Sequence, residues 1–403
     1  MTSSDGEDQA ARAFNAKTAE RYDATAYVSA ADPMLDLERV IGLGALYGCG
    51  PDGAPDVLDI GCGAGVQLER AAGQTTGVLV GTDISRSACA AAQARLSAYA
   101  GRARIIASDI LDLDPAVLGR FDVIYCVGVL YVAPAPVRRR ILALIGACLK
   151  PGGVAVISYY AGGMGLMRAE LNRMIRAAVE PGQSLEVRLD QARFFLNDVA
   201  GQSKRGDPGL AAQTAQQSAT YTDGPTLLHE ALCEEMRALH TTELQAALEP
   251  EGAGFLSYMH GMPYAGIAPS SRRAVGADIF DFMWGGYRYG VFGKRGGQGE
   301  PSAAMVQAWT TVLSRQAGGP AFPIPSEYRA AGGGGVRVVQ PLVQAALDVM
   351  GRGAMPRARL HAAAAGRLTE AGLVVPDGAE ALLDGELLKL WLAGGASPLW
   401  LGA

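Results

Sequence analysis

Three glycines at alternate positions, Gly61, Gly63 and Gly65, follow the apolar run VLDI and precede a stretch with helical spacing. Such a turn lets the backbone bend sharply and approach a ligand at a point where a Cβ would collide with it. The third glycine comes two residues after the second, whereas the dinucleotide fingerprint G-x-G-x-x-G needs three. That spacing tilts the reading from NAD toward S-adenosylmethionine, with Cys62 inside the turn. Asp83 then closes a second apolar run, GVLVGTD, at the distance where an acid can accept both ribose hydroxyls of an adenosine ligand. A surface aspartate in a turn is the alternative reading of Asp83. Asp59, in the strand that leads into the glycines, is expected to orient the methionine end of the same ligand.

The elements around these residues must carry them to one edge. After the cluster CGPDGAP at 49–55, short apolar runs alternate with Ala-rich amphipathic stretches: DVLDI, a helix over 66–72, GVLVGTD, a helix over 85–99, ARIIASD, FDVIYCV, a helix over 136–149, and VAVISYY. This βαβα alternation predicts the α/β class with a doubly wound, mostly parallel sheet. Asp59, Asp83 and Asp109 then converge on the C-terminal edge of the strands, the crevice where such sheets bind ligands. Downstream, helices are expected over 166–179, 185–198 and 226–248, and strands over 255–259 and 287–294. A Pro/Gly-rich interval at 318–335 reads as an exposed loop. Helices over 342–350 and 357–371 follow, with a short strand AGLVV at 371–375, a pattern compatible with a small helical bundle or a winged helix.

In order and spacing, VLDIGCGAG, GTDIS, ASDI, FDVIYCVGVLYVAP and LKPGGVAVISYY resemble the motifs of class I S-adenosylmethionine-dependent methyltransferases. The resemblance implies a Rossmann-like, seven-stranded methyltransferase sheet, completed by the two downstream strands, with a helical insert and a smaller, mostly helical C-terminal domain. It also implies that an acid, Asp109 with Asp112 and Asp114 as its rivals, lies near the adenine amino group, with Ile110 against the ring. Ile84 and Val127 complete the cofactor wall, and Tyr131 faces the transferable methyl, with Tyr159 and Tyr160 nearby. A second resemblance covers nearly the whole chain. Tyr22-Asp23 with Tyr27, GVLYVAPAPVRRRIL, Ser158-Tyr159, LLHEAL at 227–232 and the DF…YRYGVF run from Asp281 are similar to bacterial methyltransferases with a methyltransferase regulatory domain. That family includes protein-lysine methyltransferases. It implies that Tyr22 and Tyr27 belong to an N-terminal lid over the cofactor. Two stretches depart from the family pattern, Pro33-Met34-Leu35-Asp36-Leu37 and Gly162-Gly163-Met164-Gly165.

The four expected parts are a helical lid at 1–50, the cofactor core at 51–160, the insert with closing strands at 161–299, and a separable C-terminal part at 300–403. Net charge is −5 and only 19% of residues are charged, which gives no support for nucleic acid or an anionic membrane as a partner. The six cysteines form no C-x-x-C pair, so neither a disulfide framework nor a metal site is expected, and a cytoplasmic, reducing setting fits. His229, His240, His260 and His361 all follow the core motifs and read as helix or loop residues. With no histidine among those motifs, the expected acceptor is a protein or peptide amine, which needs orientation more than deprotonation. A small-molecule N- or O-methyltransferase and a non-catalytic S-adenosylmethionine-binding module are the alternatives.

Overall fold

A computed structural model describes residues 3–27, 30–203, 219, 221, 223–261, 272–294, 301–311, 314–315, 326–329, 335–351, 353–392 and 396–399. Helix α1 (Ser3–Ala24) leads to α2 (Leu37–Leu46), and the doubly wound unit follows. It comprises β1 (Val57–Ile60), α3 (Val66–Ala72), β2 (Leu79–Asp83), α4 (Arg86–Arg95), β3 (Ala103–Ala107), α5 (Pro115–Leu118), β4 (Phe121–Cys126), α6 (Ala135–Cys148) and β5 (Leu149–Ala161). The insert brings α7 (Gly162–Ala178), α8 (Leu185–Ser203) and α9 (Thr241–Leu248), then β6 (Ala253–Tyr258), α10 (Arg273–Trp284) and β7 (Gly286–Lys294). The seven strands form one sheet in the order β3-β2-β1-β4-β5-β7-β6, as the methyltransferase resemblance implied. β7 runs antiparallel to both β5 and β6, and the other neighbours are parallel. The strand order reverses between β1 and β4, which opens the ligand crevice at their C-terminal ends.

The central strands read as continuous apolar runs because both faces are covered; β1 and β4 are buried along their whole length. One face packs under α6, α9 and α10 in a cluster holding Ile124, Ile141, Leu144 and Phe255. The other packs under α2 and α3, and there the cluster continues into the C-terminal part through Trp309, Leu347, Leu360 and Trp391. That part holds β8 (Ala308–Thr311), β9 (Ser314–Arg315), β10 (Ser326–Arg329), β11 (Gly335–Val338), α11 (Pro341–Met350), β12 (Met355–Pro356), α12 (Arg357–Glu370), α13 (Ala379–Leu392) and β13 (Ala396–Leu399). β13 crosses α2 so closely that a Cβ on Gly42 would lie 2.6 Å from the Leu399 backbone.

Several expectations are corrected. Residues 226–248 are not one helix: a short turn at Gly224–Thr226 passes into a π-helical turn at Leu227–Ala231, and α9 begins only at Thr241. Asn172, buried on α7, explains the break, because its amide donates to the carbonyls of Glu230, Ala231 and Cys233 at 3.3, 2.8 and 3.2 Å. AGLVV is no strand. Gly372, at φ +70°, ends α12, and Leu373 N bonds back to Leu368 O at 2.9 Å, so the segment is a helix stop. The interval at 318–335 is not wholly loop, since β10 within it pairs with β9 before it and with β11, which starts at its end; residues 316–325 and 330–334 lie outside the described ones. Residues 295–300, most of the expected linker, also lie outside them.

Candidate active site

A cavity of about 580 Å³ opens at the C-terminal ends of β1, β2 and β4, beneath α1. The end expected to take the cofactor is built from the glycine turn. Gly63 has φ +52°, a conformation that side chains disfavour, and the place a Cβ would take is empty space. Its N–H donates to Asp83 Oδ2 at 2.9 Å, while Asp83 Oδ1 accepts the N–H of Ser85 at 2.9 Å. The carboxylate therefore braces the turn after β1 against the start of α4. Burial raises its pKa. Asp59 is 5% exposed, and burial, with Asp83 beside it, pushes its carboxyl up to about 7. Tyr22, Tyr27, Asp59, Gly61, Cys62, Gly63, Asp83, Ile84, Ile110 and Val127 all line the cavity. A backbone cradle at Gly63 beside the buried carboxyls of Asp59 and Asp83 fits a ligand carrying positive charge and a ribose.

Two residues of the expected cofactor set lie elsewhere. Asp109 does not line the cavity; its Oδ1 accepts from Leu111 N at 2.9 Å, capping the turn after β3, and from Asn15 Nδ2 of α1 at 2.7 Å. Gly65 begins α3, where a Cβ would meet that of Ala92 at 2.9 Å, so this glycine serves the packing of α3 on α4. α1 is pinned along its length as a cover, because Asp23 accepts from the Ser85 hydroxyl at 2.7 Å and from Ser87 N at 3.0 Å.

The other end of the cavity is aromatic. Tyr160 on β5 stands directly across from Tyr287 on β7, with ring centroids 4.9 Å apart. Tyr131 meets Tyr160 edge-on at 4.8 Å and Tyr287 at 6.0 Å. Burial holds the Tyr131 hydroxyl far above its ordinary range and that of Tyr287 at about 12, so both stay protonated. Tyr159 does not join them. Successive residues of a strand face opposite ways, and its hydroxyl sits in the core under the sheet, 2.7 Å from Thr241 Oγ1. The reading of Tyr159 beside the methyl is thus corrected, while Tyr131 and Tyr160 do share the cavity.

Four further residues come to the site from segments the core motifs do not contain. Glu230 accepts from Tyr27 Oη at 2.9 Å on Oε1, and on Oε2 from Tyr160 Oη at 3.3 Å and from the buried guanidinium of Arg168. His229, expected to be only a helix or loop residue, lines the same cavity as Tyr131. It stacks on Tyr22 with centroids 4.0 Å apart, and its Nε2 lies 2.7 Å from the Thr25 carbonyl. Burial lowers its pKa, so the ring is neutral and Nε2 donates to that carbonyl. Tyr289 donates to Asp32 at 2.9 Å. Tyr287 donates to Ser158 Oγ at 2.8 Å, and the same oxygen takes the N–H of Gly128 at 2.7 Å, fixing the turn after β4. The Y-R-Y-G spacing at 287–290, which puts both tyrosines on one strand face, was the signal available for that pair.

Residues 57–153 match a family model described as a methyltransferase domain. Uncharacterized protein RP028 of Rickettsia prowazekii (strain Madrid E) is 31% identical over 199 residues, 48% of this chain and 79% of that protein. Among solved structures, PKMT2 from Rickettsia typhi superposes with a TM-score of 0.74 at 18% identity, covering 93% of this chain and 78% of that one. The same protein in complex with AdoHcy gives 0.72 over the same shares.

Proposed function

This chain belongs to the class I S-adenosylmethionine-dependent methyltransferases, and we propose that it methylates a lysine-like amine on a protein or peptide. S-adenosylmethionine is its cofactor, and when bound it supplies a methyl group on a cationic sulfur whose departure needs no acid. The chain must hold a neutral amine in line and exclude water; such positioning contributes roughly 7–11 kcal/mol in well-oriented systems. In this reading the cofactor rests on Tyr22, Asp59, Gly61, Cys62, Gly63, Asp83, Ile84, Ile110 and Val127, with Asp109 and Gly65 supporting the walls. Within residues 1–50 the lid is α1, while α2 packs under the sheet; the core is 51–160, the insert and closing strands 161–299, and the C-terminal part 300–403. Buried free cysteines support a reducing, cytoplasmic setting.

The observation that carries the acceptor is Glu230 among Tyr27, Tyr131, Tyr160 and Tyr287. Glu230 keeps a lone pair on Oε1 for an amine N–H. Arg168 balances its charge, so the pocket does not lock the amine as an unreactive ammonium. Aromatic faces then receive the methylammonium product. The resemblance of the chain's N-terminal, insert and β7 motifs to a family that includes protein-lysine methyltransferases supports a polypeptide acceptor, and the chain shares its fold with PKMT2 over nearly its whole length. Labelled S-adenosylmethionine is incubated with the enzyme and a bacterial lysate split at a small-molecule cutoff. Label recovered as methyl-lysine from the macromolecular fraction is the expected result. Label confined to the small molecules overturns the polypeptide acceptor.

A further inference from the structure

A second concavity, about 700 Å³, lies against α1 on the side turned from the cofactor. The two share a wall. Thr18 lines both, and neighbours in sequence divide between them, Arg21 with Tyr22 and Leu228 with His229. Helical geometry dictates this split, because Thr18 and Tyr22 lie one turn apart on one face of α1, and Lys17 and Arg21 lie one turn apart on the next.

The groove carries four basic side chains, Lys17, Arg21, Arg176 and Arg188, against Glu20 and Glu234. Glu234 is already engaged, its carboxylate 3.8 Å from Lys17 and its carbonyl accepting from Arg176 at 2.6 Å. Among the described residues, Arg21 and Arg188 form no ion pair and no side-chain hydrogen bond, and the Nε of each is buried without a partner. Arg21 rests only against the ring of Tyr22, at 5.8 Å. Guanidiniums that line a concavity without acceptors are matched by carboxylates, the planar partners they bind in bidentate fashion. In a protein of net charge −5, this local excess of positive charge runs against the molecule's overall balance.

We infer that this groove docks an acidic stretch of the acceptor polypeptide, flanking the amine that enters the aromatic end of the cavity. The inference rests on the amine reading above and adds what that polypeptide must carry beside its lysine. Charge complementarity sets the partner: a segment rich in Asp or Glu, held by Arg21 and Arg188 across the base of α1 and the first turn of α8.

The test uses two fluorescent lysine peptides, one with a run of glutamates beside the lysine and one with glutamines, titrated into the enzyme with S-adenosylhomocysteine present. The glutamate peptide is expected to bind about tenfold more tightly at low salt, with the advantage shrinking as salt rises. Arg188→Glu should erase that preference while cofactor affinity and melting temperature stay as in the wild type; Arg188→Gln serves if Arg188→Glu does not fold. Equal affinity for the two peptides in the wild type, or an unchanged preference in the variants, overturns the groove. Displacement of the glutamate peptide by millimolar inorganic phosphate at constant ionic strength also overturns it, in favour of a small anion. Methylation of both lysines without a preference leaves the amine reading standing and removes the groove. A preference lost in Arg188→Glu, with label entering neither lysine, keeps the groove and removes the amine reading.

Discussion

The two ends of the cavity are assembled in opposite ways. The end proposed to hold the cofactor centres on residues close together in sequence, Asp59 to Gly63 and Asp83 to Ser85, each at the C-terminal end of a strand, with the Asp83 carboxylate braced by the N–H groups of Gly63 and Ser85. The end proposed for the acceptor gathers Tyr27, Tyr131, Tyr160, Glu230 and Tyr287 from five separate segments. Its bonds run between side chains 62 to 203 residues apart, as with Arg168 and Glu230 or Tyr27 and Glu230. A site built from local backbone is constrained by the fold. A site built from distant side chains can be refitted to a new substrate without disturbing the fold, which suits the acceptor end to vary while the cofactor end stays fixed.

The comparison breaks most visibly at Asp83. Asp83→Ala removes the brace on Gly63 and, in the proposed role, both ribose contacts, so cofactor affinity should fall at least about 100-fold, near 3 kcal/mol. Calorimetric titration measures this, and an affinity near wild type would mean that the cofactor end is not organised by this carboxylate. Glu230→Gln should act at the other end only. Its kcat/KM should drop about 100-fold with cofactor affinity within about threefold, because the acceptor loses its charged hydrogen-bond partner. Its melting temperature should fall as well, since the buried Arg168 loses the Glu230 carboxylate against its charge.

That asymmetry also decides what was legible in the sequence. The glycine turn, Asp83 and the βαβα alternation are local patterns, and the parallel strands of the sheet follow from them, whereas its closing to seven strands was implied only by the methyltransferase resemblance. Tyr159 and Tyr160 are adjacent, and only strand alternation separates them; the register of β5 with β7 sends Tyr160 toward Tyr287 and Tyr159 toward Thr241. Glu230 and His229 reach the cavity because Asn172 holds a π-helical turn where the apolar spacing suggested unbroken helix. The strands of the C-terminal part are two to four residues long, too short to show a period.

A smaller effect distinguishes the ends by pH. Burial holds Asp59 at about 7 in the free protein, and a cationic ligand beside it favours the ionised form and lowers that value. Binding therefore releases a proton below pH 7. Affinity should be constant above that point and weaken about tenfold per pH unit below it, until the lowered pKa of the complex is reached. Calorimetry in two buffers of different ionisation enthalpy reads the released proton directly. Asp59→Asn should flatten the profile, and a profile that stays steep in this variant would assign the titration to Asp83.

The smallest expected effect tests whether the two ends are separable at all, because Tyr287 touches both. Its ring belongs to the aromatic wall, 4.9 Å from Tyr160, but its hydroxyl donates to Ser158, which in turn accepts the N–H of Gly128 in the turn after β4. With its pKa at about 12, that hydroxyl donates throughout the working range. Tyr287→Phe keeps the ring contacts and deletes one neutral hydrogen bond, whose net value is about 0.5–1.5 kcal/mol. Ser158 keeps the Gly128 N–H, so the turn should hold its shape. If the ends are independent, kcat/KM for the acceptor falls roughly two- to tenfold and cofactor affinity does not move. If cofactor affinity falls by the same factor, the turn at Gly128 transmits the loss, and the cavity is one coupled site.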